Sequence, residues 1–183
     1  SGCQAKLIPG DRGRLTVAEL VGSINPDDVH KPRTRLLSLE NTSNRGGGSC
    51  YEMDTLREIR KFCTANGIGL HLDGARLFNA LVAKKQSPKE FGAVFDSISI
   101  CLNKGLGCPM GSLLIGDKNL IQQARRIRKV LGGGMRQAGF MAATGIHALK
   151  FHIERLAVDH QYAQRIATEI SGKPFCKTLF PVE

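Results

Sequence analysis

The stretch SISICLNKGLGCPMGSLLIG, residues 97–116, holds one lysine between two apolar runs, with a glycine-rich turn directly after it. Ile98, Ile100 and Leu102 alternate with Ser97, Ser99 and Cys101, the period-two pattern of a strand. Residues 112–115 read as a second strand, closed by Gly116-Asp117. Lys104 therefore stands at a strand exit. In open α/β sheets, ligands bind beyond the carboxyl ends of strands. One reading of Lys104 is a loop lysine in water, since lysines are mostly exposed. The other is an amine nucleophile, partly desolvated so that its pKa falls and it can form a Schiff base. A second group is needed to decide.

Working outward, RLLSLE (residues 35–40) and residues 68–72 read as further strands. Leu56, Ile59, Phe62 and Cys63 fall at helical spacing, with Gly67 as a stop. Residues 75–83 look helical, and Ser87-Pro88-Lys89-Glu90 is a capping box with proline at the first helical position. Thr16-Val17-Ala18-Glu19 opens a short helix to about Ile24 in the same way. Residues 118–130 and 137–170 carry helical patterns. Residues 41–51, with Gly46-Gly47-Gly48, read as a mobile polar loop. The end, FCKTLFPVE, reads as a strand cut short or a tail. Strands alternating with helices predict an α/β fold, a mostly parallel sheet with flanking helices.

Composition narrows the function classes. The chain has 183 residues and a net charge of +10, with 42% apolar and 23% charged residues, as expected of a soluble globular protein. No apolar run approaches the roughly 20 residues that cross a bilayer. The first residues lack the apolar core of a signal peptide. Six cysteines show no CxxC, which argues against a zinc site and a disulfide framework and for a reducing, intracellular compartment, cytoplasmic or mitochondrial. The densest basic cluster, Arg125, Arg126, Arg128 and Lys129, reads as a solvated helix face rather than a nucleic-acid surface. A nucleic-acid binder would instead lose affinity steeply with salt.

The second group lies in HLDGARLFNA, residues 71–80. Asp73 follows one strand as Lys104 follows the next, 31 residues on. Two neighbouring parallel strands would aim a carboxylate and an amine at one crevice. Read alone, Asp73 is a helix N-cap, a position that prefers aspartate. Arg76 alone is a surface helix arginine. Together the three suit pyridoxal phosphate, an electron sink. A lysine holds its aldehyde, an acid keeps its ring nitrogen protonated, and an arginine can hold the ring hydroxylate.

Four blocks in order, ENT (residues 40–42), HLDGARLFNA, NKGLGCPMGSLL and GGGMRQAG (residues 132–139), closely resemble the L-threonine aldolases. These belong to the β-eliminating lyase group of fold-type I pyridoxal-phosphate enzymes. The resemblance runs to about Gln164. It implies the large-domain fold of those enzymes, here incomplete, and a lyase that cleaves L-threonine or L-allo-threonine to glycine and acetaldehyde. It implies a homo-oligomer, dimer or tetramer, with no nucleic-acid or membrane partner. Lys104 matches the Schiff-base lysine, Asp73 the ring-nitrogen partner and Arg76 the arginine near the ring hydroxyl. His30, in VHKPRT, matches a histidine beside the substrate's side-chain hydroxyl, suited to acid/base work. Arg136, in GGGMRQ, matches an arginine near the cofactor phosphate that a neighbouring subunit can supply.

Two departures stand out. Asn103 replaces the family's usual serine before the lysine, and Ser43 replaces a histidine after ENT. Family chains are roughly twice as long. Residues 1–150 would form the lysine-bearing part of the large domain. Residues 151–183 would form a helix and the start of a link to a small C-terminal domain. The phosphate-cradling turn, the ring that stacks on the cofactor and the arginine for the substrate carboxylate would lie outside this stretch. Two alternatives follow: a related pyridoxal-phosphate lyase, or a non-catalytic fragment or shortened isoform that pairs with full-length subunits.

Overall fold

The computed structural model describes residues 2–180. A short helix α1 (Val17–Val21) precedes strand β1 (Leu36–Glu40), helix α2 (Met53–Ala65) and strand β2 (Gly69–Gly74). Helices α3 (Leu77–Lys84) and α4 (Pro88–Gly92) lead to β3 (Ser97–Cys101) and β4 (Ser112–Gly116). Helices α5 (Lys118–Val130), α6 (Gly139–Phe151) and α7 (Leu156–Ile170) follow. The sheet order is β1-β2-β3-β4. β1, β2 and β3 are parallel, and β4 runs antiparallel to β3. The parallel pairs are joined through α2 and through α3 and α4, as parallel pairing requires. The β3–β4 link is too short for such a crossover and turns back as a hairpin.

Period two decides which side chains enter the core. Leu39, Leu70, Leu72, Ile98 and Ile100 are buried on one face of the sheet. The same interior takes Leu56, Ile59 and Cys63 of α2, spaced for one helix face, and Phe91 of α4. The other face carries Ser38, His71, Asp73, Ser97, Ser99 and Cys101, none of them buried. Asp96 ties the entry of β3 to its neighbours. Its carboxylate accepts a forked pair of bonds from Arg60 at 2.7 and 2.9 Å and the Leu70 N–H at 2.7 Å. The Arg60 guanidinium holds the Asp96 carboxyl below the usual carboxylate range.

The mostly parallel sheet and its helices stand as the sequence predicts. Three details go beyond that reading. The helical pattern over residues 137–170 resolves into two helices, α6 and α7, broken after Phe151. No proline or glycine lies at residues 152–155, so local propensity reads straight through. Tertiary contacts make the break. His152 Nδ1 bonds the Leu106 carbonyl at 2.7 Å, and Leu156 is fully buried against the lysine turn. β4 is apolar but exposed along its whole length. FCKTLFPVE forms no strand over residues 175–180, and its last three residues lie outside those described.

Tyr51 anchors the loop before α1. Its hydroxyl accepts the Leu15 N–H at 2.7 Å and donates to the Gly13 carbonyl at 3.3 Å. Burial pushes this phenol up to about 12. The neutral form is favoured in the fold, so its share of stability is complete below pH 10.0 and is lost as pH rises toward about 12. Tyr51→Phe leaves the buried Leu15 N–H unpaired and should cost about 1–3 kcal/mol in urea unfolding. The variant should also lose this alkaline contribution, and an unchanged alkaline limb would contradict the assignment.

Candidate active site

The site forms at the carboxyl ends of the parallel strands. Register places Asp73 between Glu40 on β1 and Ser99 on β3. Lys104 comes five residues after Ser99, on the turn between β3 and β4. That turn is closed by Gly107 N–H to Lys104 carbonyl at 2.9 Å and Cys108 N–H to Leu102 carbonyl at 3.0 Å. Leu102, Leu106 and Cys108 are buried beneath it, while Lys104 itself is exposed. The desolvated lysine expected from the apolar flanks is therefore not what this chain shows. The apolar neighbours face the core, and the turn projects the lysine away from them.

Asp73 is not the N-cap of α3; that position belongs to Arg76. Asp73 Oδ1 accepts the Ala75 N–H at 3.1 Å in a local turn. Its other oxygen has no partner among the described residues, and the side chain is exposed. Arg76 is half-buried and lines a narrow cleft with Gly74, Phe78, Asn79, Cys101 and Gly105. The cleft thus joins the residues that flank Asp73 to the residue that follows Lys104. Packing around the lysine turn is tight. A Cβ on Gly105 would lie 2.8 Å from Leu156 Cδ2 and 3.2 Å from Asn79 Oδ1, and one on Gly74 would lie 2.9 Å from the Ser99 carbonyl.

The remaining two candidates stand apart. His30 lies on an exposed loop that enters β1 at its Leu36 end, whereas Asp73 pairs at the Glu40 end. The His30 backbone N–H donates to the Asp28 carboxylate at 2.8 Å. Arg136 is exposed between α5 and α6 and has no hydrogen-bond partner among the described residues. Asn79 was missed at the sequence level as a residue of the site. It touches the lysine turn and meets His160 of α7, Nδ2 to Nε2, at 3.3 Å. Its position three residues after Arg76, on the same side of a helix, was the available signal.

An amine, a carboxylate with an open oxygen and a guanidinium at one strand edge form a donor set that suits pyridoxal phosphate. Comparison with known proteins gives the family. The beta-eliminating lyase family model matches residues 1–178. The chain belongs to this family. A low specificity L-threonine aldolase of Escherichia coli (strain K12) is 47% identical over 158 residues, covering 86% of this chain and 46% of that protein. An alanine racemase of Cochliobolus carbonum is 40% identical over 183 residues, covering 94% and 46%. A threonine aldolase of Leishmania major shares the fold with TM-score 0.74 at 22% identity, covering 88% of this chain and 48% of its own. The chain spans a little under half the length of these curated relatives.

Gly105 has no side chain because Leu156 and Asn79 occupy the space. Leu156 is fully buried, so its methyl can give way only by displacing its own neighbours. Gly105→Ala should therefore lower stability by about 1–3 kcal/mol, read by denaturant unfolding, as overpacking does. A neutral result would show that the turn can shift freely away from α7.

Proposed function

We propose that this chain is the lysine-bearing part of a pyridoxal-phosphate-dependent lyase that cleaves L-threonine, or L-allo-threonine, to glycine and acetaldehyde. What supports this reading is that Asp73 lies at the end of β2, Lys104 follows β3 and Arg76 lines the cleft beside them, in a chain of the beta-eliminating lyase family. The name of the Escherichia coli relative supports the substrate.

When bound, the cofactor supplies an electron sink for the pair left as a bond at the substrate α-carbon breaks. Lys104 would hold it through its amine. The open carboxylate oxygen of Asp73 would accept from the ring nitrogen and favour its protonated form. Arg76 would donate to the ring hydroxyl oxygen. The motif positions of His30 and Arg136 support two further assignments. Brought to the strand edge, from which both stand apart within this chain, His30 would accept the proton of the substrate's β-hydroxyl and Arg136 would donate to the phosphate. An Arg136 delivered by a second copy would make the site shared within a homo-oligomer.

The name of the Cochliobolus carbonum relative favours a second reading, racemisation, in which Cα–H rather than Cα–Cβ is broken. Incubating the full-length protein with L-threonine and with L-alanine separates the two. Acetaldehyde with glycine supports the lyase, and D-alanine the racemase.

Borohydride reduction of the full-length protein with bound cofactor, followed by peptide mapping, should place the label on Lys104. Label on any other lysine overturns the assignment. Asp73→Asn should retain cofactor and lose most turnover, at least about 3 kcal/mol in the barrier, comparable to removing one electrostatic donor from an active site. Asparagine keeps the size and hydrogen-bonds the ring nitrogen but carries no charge to stabilise a pyridinium. Near-normal turnover would refute the role given to Asp73.

A further inference from the structure

The turn that carries Lys104 has little stiffness of its own. Gly105 and Gly107 flank Leu106, and Gly107 adopts φ +74°, a conformation that side-chain-bearing residues seldom take. Its three backbone bonds, Gly107 to Lys104, Cys108 to Leu102 and Leu102 to Gly111, close the loop but do not attach it to any helix. Leu106 is the buried peg of the turn, 3% exposed. The carbonyl of such a residue needs a partner. His152 supplies it, 46 residues along the chain, at 2.7 Å. His152 is the C-cap of α6, the residue at which the helix breaks before α7.

The chemistry of this contact fixes the ring. A carbonyl oxygen only accepts, so Nδ1 carries the hydrogen. The neutral ring then leaves Nε2 as acceptor, and the charged ring donates from both nitrogens. Nδ1–H faces Leu106 in either state. The contact is therefore a fixed structural bond. Its neighbours fit that static role. His147 packs at a tilt against Phe151 and meets His152 edge-on, with ring centroids 4.8 and 5.3 Å apart. Just beyond the break, Leu156 presses on Gly105. The α6–α7 junction thus grips both residues that follow the lysine.

We infer that His152 is a positioning residue for Lys104: through Nδ1–H to the Leu106 carbonyl it pins the lysine turn to the end of α6 and sets where the amine stands. The consequence for catalysis rests on the function proposed above. The consequence for the turn does not. A reacting group displaced by about 1 Å can lose roughly 100-fold in rate.

The test uses the full-length protein and the variants His152→Ala, His152→Asn and His147→Ala. Amide hydrogen exchange, followed by peptide mass spectrometry without cofactor, reads the turn directly. His152→Ala should speed exchange at Gly107 and Cys108 by at least about tenfold, a local opening gain of about 1.4 kcal/mol. The core strand β2 should keep its protection, which separates a loosened turn from a destabilised fold. Asparagine can donate from its amide at a similar reach, so His152→Asn should restore most of the protection. His147→Ala, which removes no bond to the turn, should leave it protected. In the loaded enzyme, kcat for His152→Ala should fall roughly 10- to 100-fold with KM within about twofold. His152→Asn should recover most of kcat, with the pH profile keeping its shape. Unchanged exchange at Gly107 and Cys108 in His152→Ala would overturn the inference. So would a shifted pH profile in His152→Asn, which would make the ring an acid or base instead. Loss of β2 protection in His152→Ala with no rescue by asparagine would also overturn it, reducing His152 to a packing residue. If the protein forms no acetaldehyde, the exchange result still stands, and only the proposed reaction fails.

Discussion

Parallel pairing of β2 with β3 sets Leu72 opposite Ile98, Asp73 opposite Ser99 and Gly74 opposite Ile100. The alternate residues Leu70, Leu72, Ile98 and Ile100 are sealed in the core, at most 5% exposed. A slip of β2 by one residue would turn Leu70 and Leu72 outward and force Asp73 inward. Moving a carboxylate out of water without a partner is far more costly than any single contact at the strand edge gains. The apolar face thus holds the register, and the register aims the carboxylate. Lys104 inherits its place from the same constraint, because Leu102 and Leu106 continue the buried layer past the end of β3. Hydrophobic burial, which has no direction of its own, becomes a directional device once the pleat divides the two faces.

The parts legible in the sequence are those whose cause is local. Period two marks β1, β2 and β3, the spacing of Leu56, Ile59 and Cys63 marks α2, and Asp117 marks the start of α5 by accepting the Asn119 and Leu120 N–H groups. Asp73 and Lys104 are legible because a strand exit is a local feature with a known meaning. What stayed hidden depends on contacts between distant residues. The break between α6 and α7 has no breaker residue and arises from His152 and Leu156 meeting a turn some fifty residues earlier. The exposure of β4 was hidden for the opposite reason. Its leucines and isoleucine look like core, and only the placement of its neighbours shows that Leu113, Leu114 and Ile115 remain 41–48% exposed.

Exposure also governs how strongly the charged groups of the site act. In water, two unit charges about 4 Å apart interact by roughly 1 kcal/mol, and by about 4 kcal/mol at the lower effective dielectric near a protein surface. Asp73 and Lys104 stand in solvent in this chain, so their influence on a bound ring is screened. Enclosure would change that without moving either residue. The apolar residues of β4, one strand away from Ser99, and those of α5 and α6, Ile127, Val130 and Phe140 among them, are exposed as well. Covering such a surface is favourable in itself, by about 25 cal/mol per Å² of apolar area removed from water. Any segment or subunit that seats on it is driven there by burial, not by the charges. The same event that dries the apolar surface would lower the dielectric around the amine and the carboxylate. Covering the apolar surface and strengthening the charges beside it would thus be one event, and the register-locked strand edge is the fixed element on which it would act.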